Sequence, residues 1–148
     1  MRDLWRVTKH PGVTGIGGHY SEGRWHHLGS TVLYTAEHPA LALLEAMAHS
    51  DLTIDHVPDT LRLCRIQVDA SLPAYVPALP NGWQANETMS RKVGMGWLKK
   101  GTHALMKVPT AILPHAYNFI LNPAHPDIAG KIVEVSDEPV WIDPRFIR

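Results

Sequence analysis

Residues 31–48 read TVLYTAEHPALALLEAMA, and the switch inside them sets the fold class. The first five, TVLYT, are β-branched and aromatic, the composition of a strand. Pro39 suits the first turn of a helix, where its missing N–H would have no partner anyway. Residues 40–48 (ALALLEAMA) are strong helix formers and apolar on nearly every face, which predicts a buried helix. Upstream, residues 4–8 (LWRVT) form a short strand and residues 12–29 a glycine-rich loop. Downstream, residues 61–68 (LRLCRIQV) alternate as a strand and residues 79–83 (LPNGW) carry turn chemistry. Residues 86–100 predict a second helix, capped by Asn86 and stopped by Gly101. Residues 104–108 and 111–113 are short extended pieces around Pro109. Residues 118–122 (NFILN) are a strand closed by Pro123, and residues 131–135 and 139–142 read as closing strands, paired as a hairpin. The strands are not regularly separated by helices, which argues against a doubly wound parallel sheet. The expected class is α+β, in a single domain spanning residues 1–148.

Bulk properties narrow the function. A chain of 148 residues with 45% apolar content can bury its own core. Fourteen basic and fourteen acidic residues cancel, so no bulk field draws the protein to nucleic acid or to an anionic membrane. Cys64 is the sole cysteine, so there is no disulfide framework. The opening MRDLWRVTKHPG lacks an apolar signal core, and no run approaches the ~18 apolar residues of a membrane span. The expectation is a soluble, cytoplasmic protein.

Several residues bear chemistry, each with a structural alternative. Glu45 lies in the most apolar helix of the chain. A carboxylate there either marks a site or occupies the one wet stripe of the helix. Arg24, in EGRWHHLG, could clamp a phosphate or carboxylate, or stack on Trp25 at the surface. Tyr34 could be core or a stacking platform. Arg6, if inward, needs an anionic partner. Thr110 in KVPTAILP and Asn118 in NFILNP could serve a ligand or cap turns. The run TGIGGHYSEG departs from GxGxxG spacing, and no helix follows it directly, so it is not read as a dinucleotide fingerprint. Ten histidines are scattered with no HExxH, and His26 and His27 would point apart on a strand. There is no GxSxG elbow.

Taken together, LWRV, SEGRWHHLGSTVLYTAEHPALALLEAMAH, LPNGW, VPTAILP, NFILNPAHP and the terminal DPRF occur in an order that resembles the RES domain family. Its members are the toxins of bacterial toxin–antitoxin pairs. The resemblance implies an ADP-ribosyltransferase-like mixed β core with flanking helices around a cleft for NAD⁺, which is a substrate. It implies cleavage of the nicotinamide–ribose bond by hydrolysis or phosphorolysis, with no metal. It also implies an Xre-like antitoxin that blocks the active site, and a toxin homodimer. By position, the family's catalytic Arg, Tyr and Glu correspond to Arg24, Tyr34 and Glu45. Arg6, Arg24, Tyr34, Thr110 and Asn118 would bind NAD⁺, with Thr110 standing where the family has serine. Two alternatives stand beside this reading: a protein ADP-ribosyltransferase, and a catalytically silent module that only pairs with an antitoxin. A nuclease rests only on abundant His and Arg and ranks last.

Overall fold

A computed structural model describes residues 1–49 and 52–146. Its frame is a seven-stranded sheet in the order β4-β5-β6-β2-β1-β3-β7. The strands are β1 (Arg2–Thr8), β2 (Leu33–Ala36), β3 (Arg62–Val68), β4 (Ala74–Tyr75), β5 (Leu105–Pro109), β6 (Tyr117–Leu121) and β7 (Ile132–Pro139). Only β4 and β5 run parallel; the other pairs are antiparallel. Helix α1 (Pro39–His49) follows β2, and α2 (Glu87–Lys100) precedes β5. The architecture is α+β with a mixed sheet, as expected.

Strand periodicity divides the core. Cross-strand partners share a face. Met106, Val108 and Ile120 join Trp25, Val32, Trp83 and Trp97 in a cluster under α2. The alternate residues, Leu33, Leu105, Phe119 and Leu121, pack against Leu4, Ile66 and Val68 on the other face. A third, small cluster seats α1 on the sheet through Leu41, Ala42, Ala36, Trp5 and Val7. The two halves of the sheet, β4-β5-β6-β2 and β1-β3-β7, are joined through β1 and β2, whose pairing is the single register contact Trp5↔Ala36. Beyond it the strands part, and the gap between them becomes a cleft.

Four local expectations change. Helix α1 is not buried all round: Leu41 and Ala42 are buried, while Ala40, Leu44 and Ala48 form an exposed stripe at i, i+4 spacing. The closing hairpin is instead one continuous strand, β7. It follows β3 across its full length, with a register shift at Arg65/Ile66. It is the sheet's outer edge, where the polar SDE segment stays wet. Residues 111–113 are not extended. They turn the chain between β5 and β6, with Thr110 N–H donating to the Ala116 carbonyl and His115 at a φ of 68°. Finally, β2 begins at Leu33, not Thr31, and the two-residue β4 had no sequence signal. The second helix matches its capping signals: Asn86 accepts from Met89 N–H at 3.1 Å, and Gly101 takes the left-handed φ of 66°. Among the described residues, no helix is long and apolar enough to cross a membrane.

Candidate active site

The cleft between β1 and β2 encloses about 610 Å³, within the roughly 300–1,000 Å³ usual for small-molecule sites. Its walls come from β1, the loop over residues 10–26, β2 and α1. Arg6, Arg24, Tyr34, Glu45 and Asn118 all line it, although they are scattered over more than a hundred positions of chain.

Glu45 projects from α1 and is half-buried. Its Oε1 accepts two short hydrogen bonds, from Thr110 Oγ1 and from Asn118 Nδ2, each 2.6 Å. Thr110 is itself oriented, because its hydroxyl oxygen accepts from Ile112 N–H at 3.1 Å. Its β-branch restricts χ1, which helps hold the hydroxyl on Glu45. Thr110 and Asn118 are both buried, and the Asn118 Oδ1 finds no partner. Thr110 both caps the turn, through its contact with Ile112 N–H, and donates to the carboxylate, while Asn118 uses its side-chain donor on the carboxylate alone. Helix α1 thus carries its single charge on the flank that meets the β5–β6 edge, where two donors await it.

Tyr34 lines the cleft, and its hydroxyl is tied into the loop that walls it. It accepts from Trp25 N–H at 3.0 Å and lies 2.7 Å from His26 Nδ1. Burial, above all, pushes its pKa far above the ordinary phenol value. Tyr34 therefore presents a neutral aromatic surface. Gly23 makes this possible, since a Cβ there would sit 2.5 Å from the Tyr34 hydroxyl.

The two arginines differ. Arg6 Nη1 donates to the Gly12 carbonyl at 2.8 Å, and Gly12 N–H donates to Glu134 at 3.0 Å, so the loop start is clamped from both sides. Burial pulls the Arg6 pKa down, while nearby Cys64 and Glu134 oppose that shift. Arg24 lies at the cleft wall with its guanidinium engaged: Nη1 donates to the Gln84 carbonyl at 3.0 Å, and Nη2 lies 3.5 Å from Glu87. It also sits 5.9 Å from the Trp83 ring.

Helix α2 fixes the backbone that carries Arg24. Arg91 Nε donates to the Gly23 carbonyl at 2.9 Å, and Ser90 Oγ to the Arg24 carbonyl at 2.6 Å. Gly94 lies directly against the Trp25 carbonyl, where any Cβ would collide. These α2 contacts had no sequence signal, since a Ser and a Gly inside a helix look like ordinary weak spots. Within the loop over residues 12–29, as expected, His26 closes a tight turn through the Gly23↔His26 bridge and His27 follows it. His26 is buried and His27 exposed. Among the described residues, no three His, Cys, Asp or Glu side chains converge as a metal site would require.

Residues 3–143 match the sequence profile of the RES domain. The chain belongs to the RES domain toxin family. This RES domain is 36% identical over 135 residues to a "Toxin Res" of Pseudomonas putida, spanning 90% of this chain and 93% of that one. It is 35% identical over 144 residues to a "Prs ADP-ribosylating toxin" of Sphingobium sp., spanning 92% and 87%. The RES fold is also that of a chain in the M. tuberculosis MbcT–MbcA toxin–antitoxin complex. That likeness has a TM-score of 0.71 at 16% identity and covers 94% of this chain and 84% of the other.

Proposed function

We propose that this RES domain is the toxin of a toxin–antitoxin pair and that it cleaves NAD⁺ at the nicotinamide–ribose bond. The observation that carries this reading is the Glu45 carboxylate at the cleft wall, with Thr110 and Asn118 both gripping Oε1. Those donors leave Oε2 as the oxygen offered to a ligand. In the reaction, the C–N bond breaks and its electron pair passes to the nicotinamide nitrogen, cancelling the ring's charge. Positive charge develops at the ribose carbon, and a fixed carboxylate stabilises it without reorganising. An oxygen of water or phosphate then adds to that carbon, and with water a proton passes to Glu45 or to bulk solvent. Tyr34, with its hydroxyl already held by Trp25 and His26, offers its ring to the nicotinamide. Arg6 and Arg24 take the diphosphate, and for Arg24 this means exchanging Glu87 for phosphate.

The partner in this reading is an Xre-like antitoxin that covers the cleft, and the toxin is a cytoplasmic homodimer. Purified protein incubated with NAD⁺ should release nicotinamide, and dependence on added phosphate separates phosphorolysis from hydrolysis. Glu45→Ala, checked for folding by circular dichroism, should lose most of the activity. Undiminished turnover by that variant overturns the assignment.

A second reading, transfer of ADP-ribose to a protein, draws support from the relative named as an ADP-ribosylating toxin. The same bond breaks, and a protein side chain supplies the nucleophile. Transfer of label from adenine-labelled NAD⁺ to protein would favour it over release to solvent.

A further inference from the structure

His26 is one of the most buried polar residues of the chain, at 3% exposure, and the reaction as described does not use it. Its surroundings define its protonation. The Nε2 atom lies 2.8 Å from the Ser21 carbonyl oxygen. A carbonyl can only accept, so Nε2 carries the hydrogen. Burial, above all, lowers the His26 pKa, and the Arg91 charge adds to this against the Ser21 and Gly18 carbonyls and Glu22. The ring is therefore neutral and Nδ1 is bare. Gly23 N–H donates to that Nδ1 at 3.2 Å, and the Tyr34 hydroxyl lies 2.7 Å from it. Because Trp25 N–H already donates to the Tyr34 oxygen, the phenol hydrogen is the one aimed at Nδ1. The two rings pack with centroids 5.4 Å apart. A continuous chain results: Tyr34 O–H to His26 Nδ1, and His26 Nε2–H to the Ser21 carbonyl.

We propose that His26 is a positioning residue for the reaction: as the Nε2–H tautomer it ties the Tyr34 hydroxyl to the Ser21–His26 loop, so that the Tyr34 ring and Arg24 enter the cleft wall as one rigid unit. The inference rests on the reading that Tyr34 and Arg24 contact NAD⁺. The Ser21 carbonyl fixes the imidazole tautomer, and the imidazole in turn fixes the side chain that meets substrate.

The tautomer can be read without any enzymatic assay. Long-range ¹⁵N–¹H NMR correlations of the wild-type protein should show His26 protonated at Nε2 alone near neutral pH. A ring protonated at Nδ1 overturns the proposal. Kinetics then separate positioning from simple structural support. His26→Leu removes all three ring contacts, with Tyr34, Gly23 and Ser21, and kcat for nicotinamide release should fall roughly tenfold to a hundredfold, the scale of a displaced reacting geometry. His26→Asn places an amide oxygen where Nδ1 was and should recover most of that loss. In a Tyr34→Phe background, which has no hydroxyl to hold, His26→Leu should cost little more, the non-additivity of two residues acting as one. Independent, additive losses in that cycle overturn the proposal even if each variant folds. If the wild-type protein releases no nicotinamide, the NAD⁺ reading fails instead, and the NMR result still stands for or against the tether.

Discussion

Thr110 Oγ1 donates to Glu45 Oε1 at 2.6 Å across 65 positions of sequence. A hydroxyl on the β5–β6 turn thereby sets the geometry of a carboxylate on α1. Serine carries the same hydroxyl, and the contact with Glu45 is a task either residue can perform. The added methyl group is accommodated at a buried position.

Thr110→Ser should therefore keep nicotinamide release within about threefold of wild type. Thr110→Val keeps the shape but removes both the donor to Glu45 and the acceptor for Ile112 N–H. It should lower kcat by at least about tenfold, as loss of a hydrogen bond to a charged group is worth roughly 1.5–3 kcal/mol. Parallel kinetics on the two variants would decide this, and equal activity would show that the hydroxyl is idle.

Gly94→Ala should be disproportionately harmful for a helix substitution. Alanine is the better helix former by about 1 kcal/mol, yet its Cβ would collide with the Trp25 carbonyl. Overpacking of this kind typically costs about 1–3 kcal/mol, so the net change in urea unfolding should be destabilising. Gly96, with open space around it, is the control, and Gly96→Ala should be neutral or stabilising.

Glu87→Gln should loosen Arg24 with little effect on stability. Glu87 is more than half exposed and pairs with Arg24 at 3.5 Å and with Arg91 at 2.9 Å. Exposed pairs contribute at most about 1 kcal/mol. Freed of its carboxylate, Arg24 is more available to an anionic ligand. A KM for NAD⁺ lowered about twofold to threefold, at unchanged melting temperature, is the expected result. A raised KM would mean that Glu87 orients Arg24 productively.

Stability should fall in mild acid through His26. Its folded-state pKa lies below the ordinary 6.5, chiefly because the ring is buried. As pH drops below about 6.5 the unfolded chain takes up the proton first, so the unfolded state gains. This contribution is fully present above 6.5 and is lost as pH falls through the folded value. The urea midpoint should thus decline from pH 7.5 to pH 5, and the decline should be shallower in His26→Asn. Identical slopes would remove His26 as the cause.

The α2 boundaries were legible because Asn86 and Gly101 act within one turn of the helix ends. The central strands were legible because their apolar residues alternate. Local signals failed where a distant partner decided the outcome. Residues 139–142 look extended, yet β3 dictates where β7 ends. α1 looks fully buried by composition, yet the sheet covers only its Leu41 and Ala42 side. Ser90 and Gly94 gave no warning, because their importance lies in the Arg24 and Trp25 carbonyls pressed against them.

The sequence by itself determined the class, α+β, and the family, through an ordered set of short motifs. It also raised Arg6, Arg24, Tyr34, Glu45, Thr110 and Asn118 as candidates, each with a structural alternative, and the resemblance to the family gathered them into one expected site. Only the tertiary structure decided how they act together. A hydrogen bond needs two groups within about 3 Å, and that proximity is a property of the folded sheet. Folding brings Thr110 and Asn118 onto one oxygen of Glu45. It leaves Arg24 paired with Glu87 and ties the Tyr34 hydroxyl to His26 in the cleft wall.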